Sequence, residues 1–195
     1  MHIRTAGKAD IPAVRAFFEA IGDDFYPPLR TRPAGDNLDT YINRSAKIII
    51  AEDSGIIGGL MHSQFGLELH AELLGVAPGR RKGVVAYRLL EEAVHAYTGI
   101  ARFVSAQTHE GNPAIDLYRH LGFRETGRAP DPVLNRTTVH LEASMQDLRQ
   151  YFGVPEPGIP KRYIAAAACW VGAAATWFAY CVATGNTDLP NMMLY

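Results

Sequence analysis

The sequence predicts a mixed α/β fold, a central mixed sheet flanked by helices, with one hydrophobic helix added near the C-terminus. Three observations predict it. Short apolar runs of strand length alternate with segments whose apolar residues recur at helical spacing. Gly, Pro and Asp clusters separate these segments as turns. A late run of 22 residues, Tyr163 to Thr184, carries no charge.

The elements follow in chain order. His2 to Ala6 reads as a short strand. Asp10 is placed to cap a helix with Pro12 in its first turn, and Val14, Phe17, Phe18 and Ile21 share one face before Gly22 stops it. A loop-rich region holding Tyr26, Arg30 and Arg32 leads to a second short helix, Leu38 to Asn43. Lys47 to Glu52 and Gly55 to Gln64 form a predicted hairpin around Asp53-Ser54-Gly55. A strand is predicted from Leu67 to Val76. Val84, Val85, Leu89, Leu90, Val94 and Tyr97 then trace an amphipathic helix. Arg102 to Gln107 reads as a strand, Asn112 to His120 as a helix stopped at Gly122, and Thr137 to Glu142 as a last strand. Ser144 to Asp147 resembles a capping box that opens a short helix through Tyr151.

These elements divide the chain into a catalytic-sized domain over 1–145 and a short helix with a Pro-rich linker over 146–160. A hydrophobic helix over 161–184 and a tail over 185–195 follow. A formal net charge of -1 offers no electrostatic attraction to nucleic acid. Cys169 and Cys181 would lie about 18 Å apart on a helix, too far to join, so nothing points to an oxidising compartment. The N-terminus has no apolar targeting core, which makes the compartment of synthesis, the cytoplasm, the expected location of the domain.

Two segments carry chemistry. Val76-Ala77-Pro78-Gly79-Arg80-Arg81-Lys82-Gly83-Val84-Val85 runs from a strand end through a basic, Gly-bounded turn into a helix start. Unpaired N–H groups and the dipole at a helix N-terminus attract anions, and the three basic side chains add fixed positive charge, so a pyrophosphate suits the turn. A solvated basic turn explains the same residues when they are taken alone. Asn112-Pro113-Ala114-Ile115-Asp116-Leu117-Tyr118-Arg119-His120-Leu121-Gly122-Phe123 places Ala114, Leu117, Tyr118 and Leu121 on one helical face. A core helix accounts for that apolar spacing but not for the whole run.

Together the segments resemble the GNAT superfamily of acyl-CoA-dependent N-acetyltransferases. Ala114, Leu117, Tyr118, Gly122 and Phe123 fit its Ala-x-x-Leu-Tyr-x-x-x-Gly-Phe form, while Gly111 stands at the family's asparagine and Asn112 follows one place later. Val76, Pro78, Arg80 and Gly83 match the coenzyme-binding form, with a gap one residue short and Val85 where Gly or Ala is usual. The resemblance implies a splayed pair of central strands with acetyl-CoA as co-substrate between them. It implies the backbone of Leu74 to Val76 on the pantetheine arm, and Arg80, Arg81, Lys82, Gly83, Val84 and Val85 on the pyrophosphate, with Asn112 beside it. It also implies direct transfer of the acetyl group to an amine acceptor, a small molecule or a protein. Tyr118 occupies the general-acid position. A base would come from His70 or Glu72, which alternate with Glu68 along one strand face, or from a water relay. Tyr26, Arg30 and Arg32 fall in the loop that shapes the acceptor pocket in this family, although an ordinary solvated loop is the favoured reading of the same residues. A non-catalytic acyl-CoA-binding module of the same fold is the rival reading.

Tyr163 to Thr184 would extend about 33 Å as a helix, enough for a hydrocarbon core of ~30 Å. Lys161-Arg162 in front of it suits a cytoplasmic flank. Nine of its residues are alanine, however, which leaves close packing on the domain or on a second subunit open beside membrane anchoring.

Overall fold

A computed structural model of the chain describes residues 1–81, 84–132 and 135–156. The predicted helix at 161–184, the tail, and the basic-turn residues Lys82 and Gly83 lie outside the described residues. Residues Met1–Glu156 form one compact unit. Its strands are β1 (His2–Thr5), β2 (Lys47–Glu52), β3 (Ile56–Phe65), β4 (Glu68–Val76), β5 (Phe103–His109), β6 (Arg124–Asp131) and β7 (Arg136–Ser144). Its helices are α1 (Ile11–Ala20), α2 (Leu38–Arg44), α3 (Val85–Tyr97), α4 (Ala114–His120) and α5 (Met145–Phe152).

The strands form a seven-stranded sheet in the order β1-β2-β3-β4-β5-β7-β6. Neighbours run antiparallel except β4 and β5, whose parallel pairing requires the long crossover that α3 supplies. The pleat sends alternate residues to opposite faces. On β2, Ile49 and Ala51 join Val85, Leu89, Leu90 and Val94 of α3 in one core, whereas Ile48 and Ile50 join Val14 and Phe18 of α1 in another. The first core extends under α4 and α5 through Ile115, Tyr118, Met145 and Leu148, so α5 is integral to the unit. The second core covers only the β1–β3 end of the sheet and Leu73 of β4. The opposing face of β5 and β7 therefore stays open and polar beside it.

Several boundaries differ from the sequence expectation, each for a local reason. Asp10 does not cap α1; its carboxylate accepts from the Gly7 N–H at 2.7 Å and pairs with Arg4 at 2.7 Å. α4 begins at Ala114 rather than Asn112, because the Asn112 side chain accepts from the Ala114 N–H at 2.9 Å and holds the turn before the helix. α3 begins at Val85, with Val84 as the residue before it. The strand expected to start at Phe123 is β6, which begins at Arg124; it is an edge strand paired to β7, so Arg-Glu-Thr-Gly-Arg-Ala-Pro-Asp needs no apolar face. The capping of α5 is as expected, with Ser144 Oγ accepting from the Asp147 N–H at 3.0 Å and Gly153 at φ 67° ending the helix. Among the described residues, no helix is long and apolar enough to cross a membrane.

Candidate active site

The site originates in a fault between β4 and β5. Their ladder runs from Glu68↔Phe103 to Ala71↔Ala106 and stops there, although β4 continues to Val76 and β5 to His109. The cause lies on the other side of β4. Opposite β3, Met61 pairs with Leu73 and His62 with Ala71, leaving Glu72 as an extra residue in a β-bulge. A bulge bends its strand and advances its facing by one residue. Leu69 and Ala71 accordingly enter the core under α3, whereas Leu73 enters the one under α1. Beyond the bulge the two strands diverge, and the β5-facing peptide groups of residues 72–76 are left without a ladder partner in β5.

A cavity of about 550 Å³ opens at this divergence. Its walls bring together His70, Glu72, Leu74 and Val76 of β4, Gln107 and His109 of β5, and Asn112 and Tyr118. Tyr26, Arg32 and Asp36 close it from the segment joining α1 to α2, Tyr41 from α2 itself, and Asp131 and Thr138 from the β6–β7 hairpin. Tyr26 also reaches across the mouth, with the Arg136 guanidinium 4.0 Å above its ring centre. Arg30 does not line the cavity; it pairs with Asp23 at 3.0 Å on the surface.

Glu68, His70 and Glu72 do share a face, and they are wired together. Ser105 Oγ of β5 lies 2.7 Å from His70 Nδ1 and donates to Glu68 Oε1. Glu72 is almost wholly buried, with its side chain 4% exposed. Arg44 of α2 donates to its Oε2, and Ser63 Oγ of β3 donates to its Oε1 at 2.6 Å. His70 Nε2 stands 3.9 Å from Glu72 Oε2, beyond hydrogen-bond reach. Burial pushes the His70 pKa down more strongly than the carboxylates of Glu72 and Glu68 pull it up, which favours the neutral imidazole.

Tyr118 is buried with its ring 5.1 Å from that of Phe123, and burial pushes its phenol up to about 12. His109 is also buried, its Nδ1 has no partner among the described residues, and burial again lowers its pKa. Tyr41, bonded to Asp36 and to Arg32 Nη1, is raised to about 12, with burial the larger cause.

The basic turn is more divided than its sequence suggests. Arg81 lines the cavity, donates to the Val76 carbonyl at 3.1 Å and pairs with Asp24 at 2.6 Å. Arg80 instead pairs with Asp53 at 2.7 Å in the β2–β3 turn and does not line the cavity. Val85 buries its side chain against Gly58, where an added Cβ would stand 2.6 Å from Val85 Cγ1, so this glycine lets α3 begin close to the sheet. Val84 is exposed at 61%. Either valine can therefore meet a phosphate only through its backbone N–H. The Asn112 side chain is committed to Ala114 and to Thr108, to whose Oγ1 it donates at 2.7 Å.

Sequence reasoning missed Arg44, Ser63, Ser105 and His109. Ser105, Gln107 and His109 alternate along β5 opposite the core residues Val104 and Ala106, a period-two signal visible in the sequence once the strand is extended to His109. Arg44 and Ser63 leave no such trace, since they approach Glu72 from separate elements.

Residues 44–125 match the family model described as the acetyltransferase (GNAT) domain. No curated protein matches the sequence. Among solved structures, the chain is similar to a ribosomal-protein-alanine N-acetyltransferase from Brucella melitensis at 22% identity and TM-score 0.59, over 74% of this chain and 99% of that one. It is similar to an aminoglycoside 6'-N-acetyltransferase complexed with coenzyme A at 12% identity and TM-score 0.60, over 81% and 100% of the two chains. It is also similar to Arabidopsis thaliana NAA60 in complex with a bisubstrate analogue, at 17% identity and TM-score 0.56, over 73% and 97%. At these identities the likeness is one of fold.

Proposed function

We propose that this chain, which carries a GNAT acetyltransferase domain, transfers an acetyl group from acetyl-CoA directly to a primary amine. The observation that carries the proposal is the divergence of β4 and β5, which opens one cavity onto unpaired β4 backbone, the His70 imidazole and the Tyr118 phenol. The fit to acetyl-CoA is specific on the β4 side: the strand groups of residues 72–76 that have no partner in β5 suit the amides of a pantetheine arm. The aminoglycoside enzyme of similar fold is complexed with coenzyme A, which supports coenzyme binding by this fold.

In this reading Arg81 and the backbone N–H groups at the start of α3 hold the pyrophosphate. Arg80 contributes long-range charge only. His70 takes one proton of the acceptor ammonium, the freed amine attacks the thioester carbonyl, the C–S bond breaks with release of the thiolate, and the nitrogen loses its second proton to solvent as the amide forms. Tyr118 stays protonated throughout the neutral range and donates a hydrogen bond to the departing sulfur. Its elevated pKa, set against a thiol near 8.5, makes it a donor that stabilises the thiolate, with complete protonation left to solvent. Glu72, already paired to Arg44, helps to seat the ammonium without acting as the base.

The test is thiol release from acetyl-CoA across a panel of primary amines. Tyr118→Phe should lower kcat by about 10²-fold with coenzyme binding by calorimetry unchanged. A Tyr118→Phe protein as active as the parent would remove that residue from the mechanism. On its composition alone, we further propose that the charge-free run 163–184 anchors the domain to a membrane. The full chain should then sediment with membranes and a chain lacking 161–195 should not; equal recovery of both without detergent would reject the anchor.

A further inference from the structure

Two buried side chains on β4, His70 and Glu72, compete for the role of base, and their hydrogen bonds separate them. Each Glu72 oxygen already accepts one hydrogen bond, Oε2 from Arg44 and Oε1 from Ser63, so taking a proton there would cost the carboxylate its Arg44 ion pair. On His70 the two ring nitrogens differ. A carboxylate only accepts, and a serine hydroxyl has one proton to give. Ser105 gives that proton to Glu68, so its oxygen lone pair faces His70 Nδ1, 2.7 Å away, and can only accept there. Nδ1 must then carry the ring hydrogen, which leaves the Nε2 lone pair unprotonated. Nε2 makes no hydrogen bond among the described residues, and His70 lines the cavity.

We infer that Ser105 and Glu68 are positioning residues that fix His70 in the Nδ1–H tautomer, with Nε2 presented to the acceptor amine as the catalytic base. The inference rests on the acetyltransferase reading for its chemistry, but the tautomer itself is a property of the free protein. One proton moves from the acceptor ammonium to Nε2, making the ring an imidazolium, and the amine nitrogen's second proton leaves to solvent as the amide forms. The Nδ1–H stays on the ring, bonded to Ser105 Oγ, and the Nε2 proton leaves to water after transfer. Neither Ser105 nor Glu68 changes protonation. This differs from the sequence expectation, in which Glu68 was only one of three residues on the strand face and Ser105 had no role.

The groups that face His70 are Glu68 and Glu72 from its own strand, Arg44 from α2, Ser105 from β5 and His140 from β7. Two of these are carboxylates that favour the imidazolium, and Arg44 and His140 oppose it. Removing the Ser105–Glu68 contact therefore weakens the imidazolium and moves the acid limb of kcat/KM to lower pH, by about half a unit for a partner at this distance.

The deciding measurement is the long-range ¹H–¹⁵N spectrum of the full-length protein labelled at histidine, recorded without substrates. His70 should read as the Nδ1–H tautomer in the parent, lose that preference in Ser105→Ala and recover it in Ser105→Thr. An Nε2–H ring in the parent, or a tautomer unmoved by Ser105→Ala, would overturn the inference. In the amine assay, Ser105→Ala should lower kcat about tenfold at constant KM for acetyl-CoA, with rescue by Ser105→Thr; an unchanged kcat and pH profile would deny the pair any part in catalysis. Glu68→Gln serves as the second variant if Ser105→Ala does not fold, with the same expected shifts in tautomer and pH limb. If no amine is acetylated, the function proposed above fails, and the spectrum still decides the tautomer.

Discussion

Two histidines one strand apart show how differently one sheet treats the same side chain. His62 on β3 pairs in register with Ala71, and its neighbour Ser63 pairs with His70 on β4. Both rings are largely removed from water. His62 faces the core under α3, edge-on to Tyr97 at 5.1 Å, and neither of its nitrogens has a partner among the described residues. His70 faces the open side of the sheet and is held by Ser105 between two carboxylates. A buried polar atom without a partner is costly, and a charged one far more so, so His62 is confined to its neutral form and its pKa falls to about 4, chiefly through burial. The imidazole of His70 has acceptors placed to receive a positive charge. The first ring is a packing element and the second is equipped for proton transfer.

Activity separates them most strongly. His70→Gln should lower kcat by about 10²-fold or more while leaving coenzyme affinity unchanged, and His62→Leu should leave kcat within about twofold of the parent. Steady-state kinetics with separate coenzyme titration checks both. A His62→Leu protein as impaired as His70→Gln would erase the contrast.

Acid stability is the smaller effect and reverses the ranking. The folded-state pKa of His62 lies below its ordinary 6.5, so the unfolded chain takes up a proton that the folded chain refuses. Its contribution is complete above pH 6.5 and is lost as pH falls towards 4, amounting to about 3 kcal/mol. Urea melts at steps across that window should show the decline, and His62→Leu should flatten it. A decline of the same size in His62→Leu would assign the acid sensitivity to other groups.

The legible parts of the sequence were those governed by local periodicity. Ile48 to Ala51 fills both cores in alternation, Val85 to Tyr97 presents one apolar stripe, and Ser144 caps α5, all as their spacing implies. The Ala114 to Phe123 run was readable as well, because its helix, its stop at Gly122 (φ 88°) and its tyrosine lie within ten residues. The extent of the edge strand β6 was not, since a strand bonded on one side and wet on both faces needs no apolar pattern. The competing roles of Arg80 and Arg81 were also invisible. Adjacent in sequence, they are drawn apart by Asp53 and Asp24 from distant loops.

By itself, then, the sequence determined the element types, the mixed α/β class and the residue types present in the two motif segments, because hydrophobic period, capping and turn chemistry act over a few residues. Tertiary structure alone decided where β4 and β5 separate, since the bulge at Glu72 exists only as a register mismatch with β3. It also decided which polar residue on β4 is free to act. Arg44 and Ser63 engage Glu72, while Ser105 turns His70 towards the cavity. Those contacts join residues 9 to 35 positions apart, and a hydrogen bond depends on distance in space, which the order of residues along the chain does not specify.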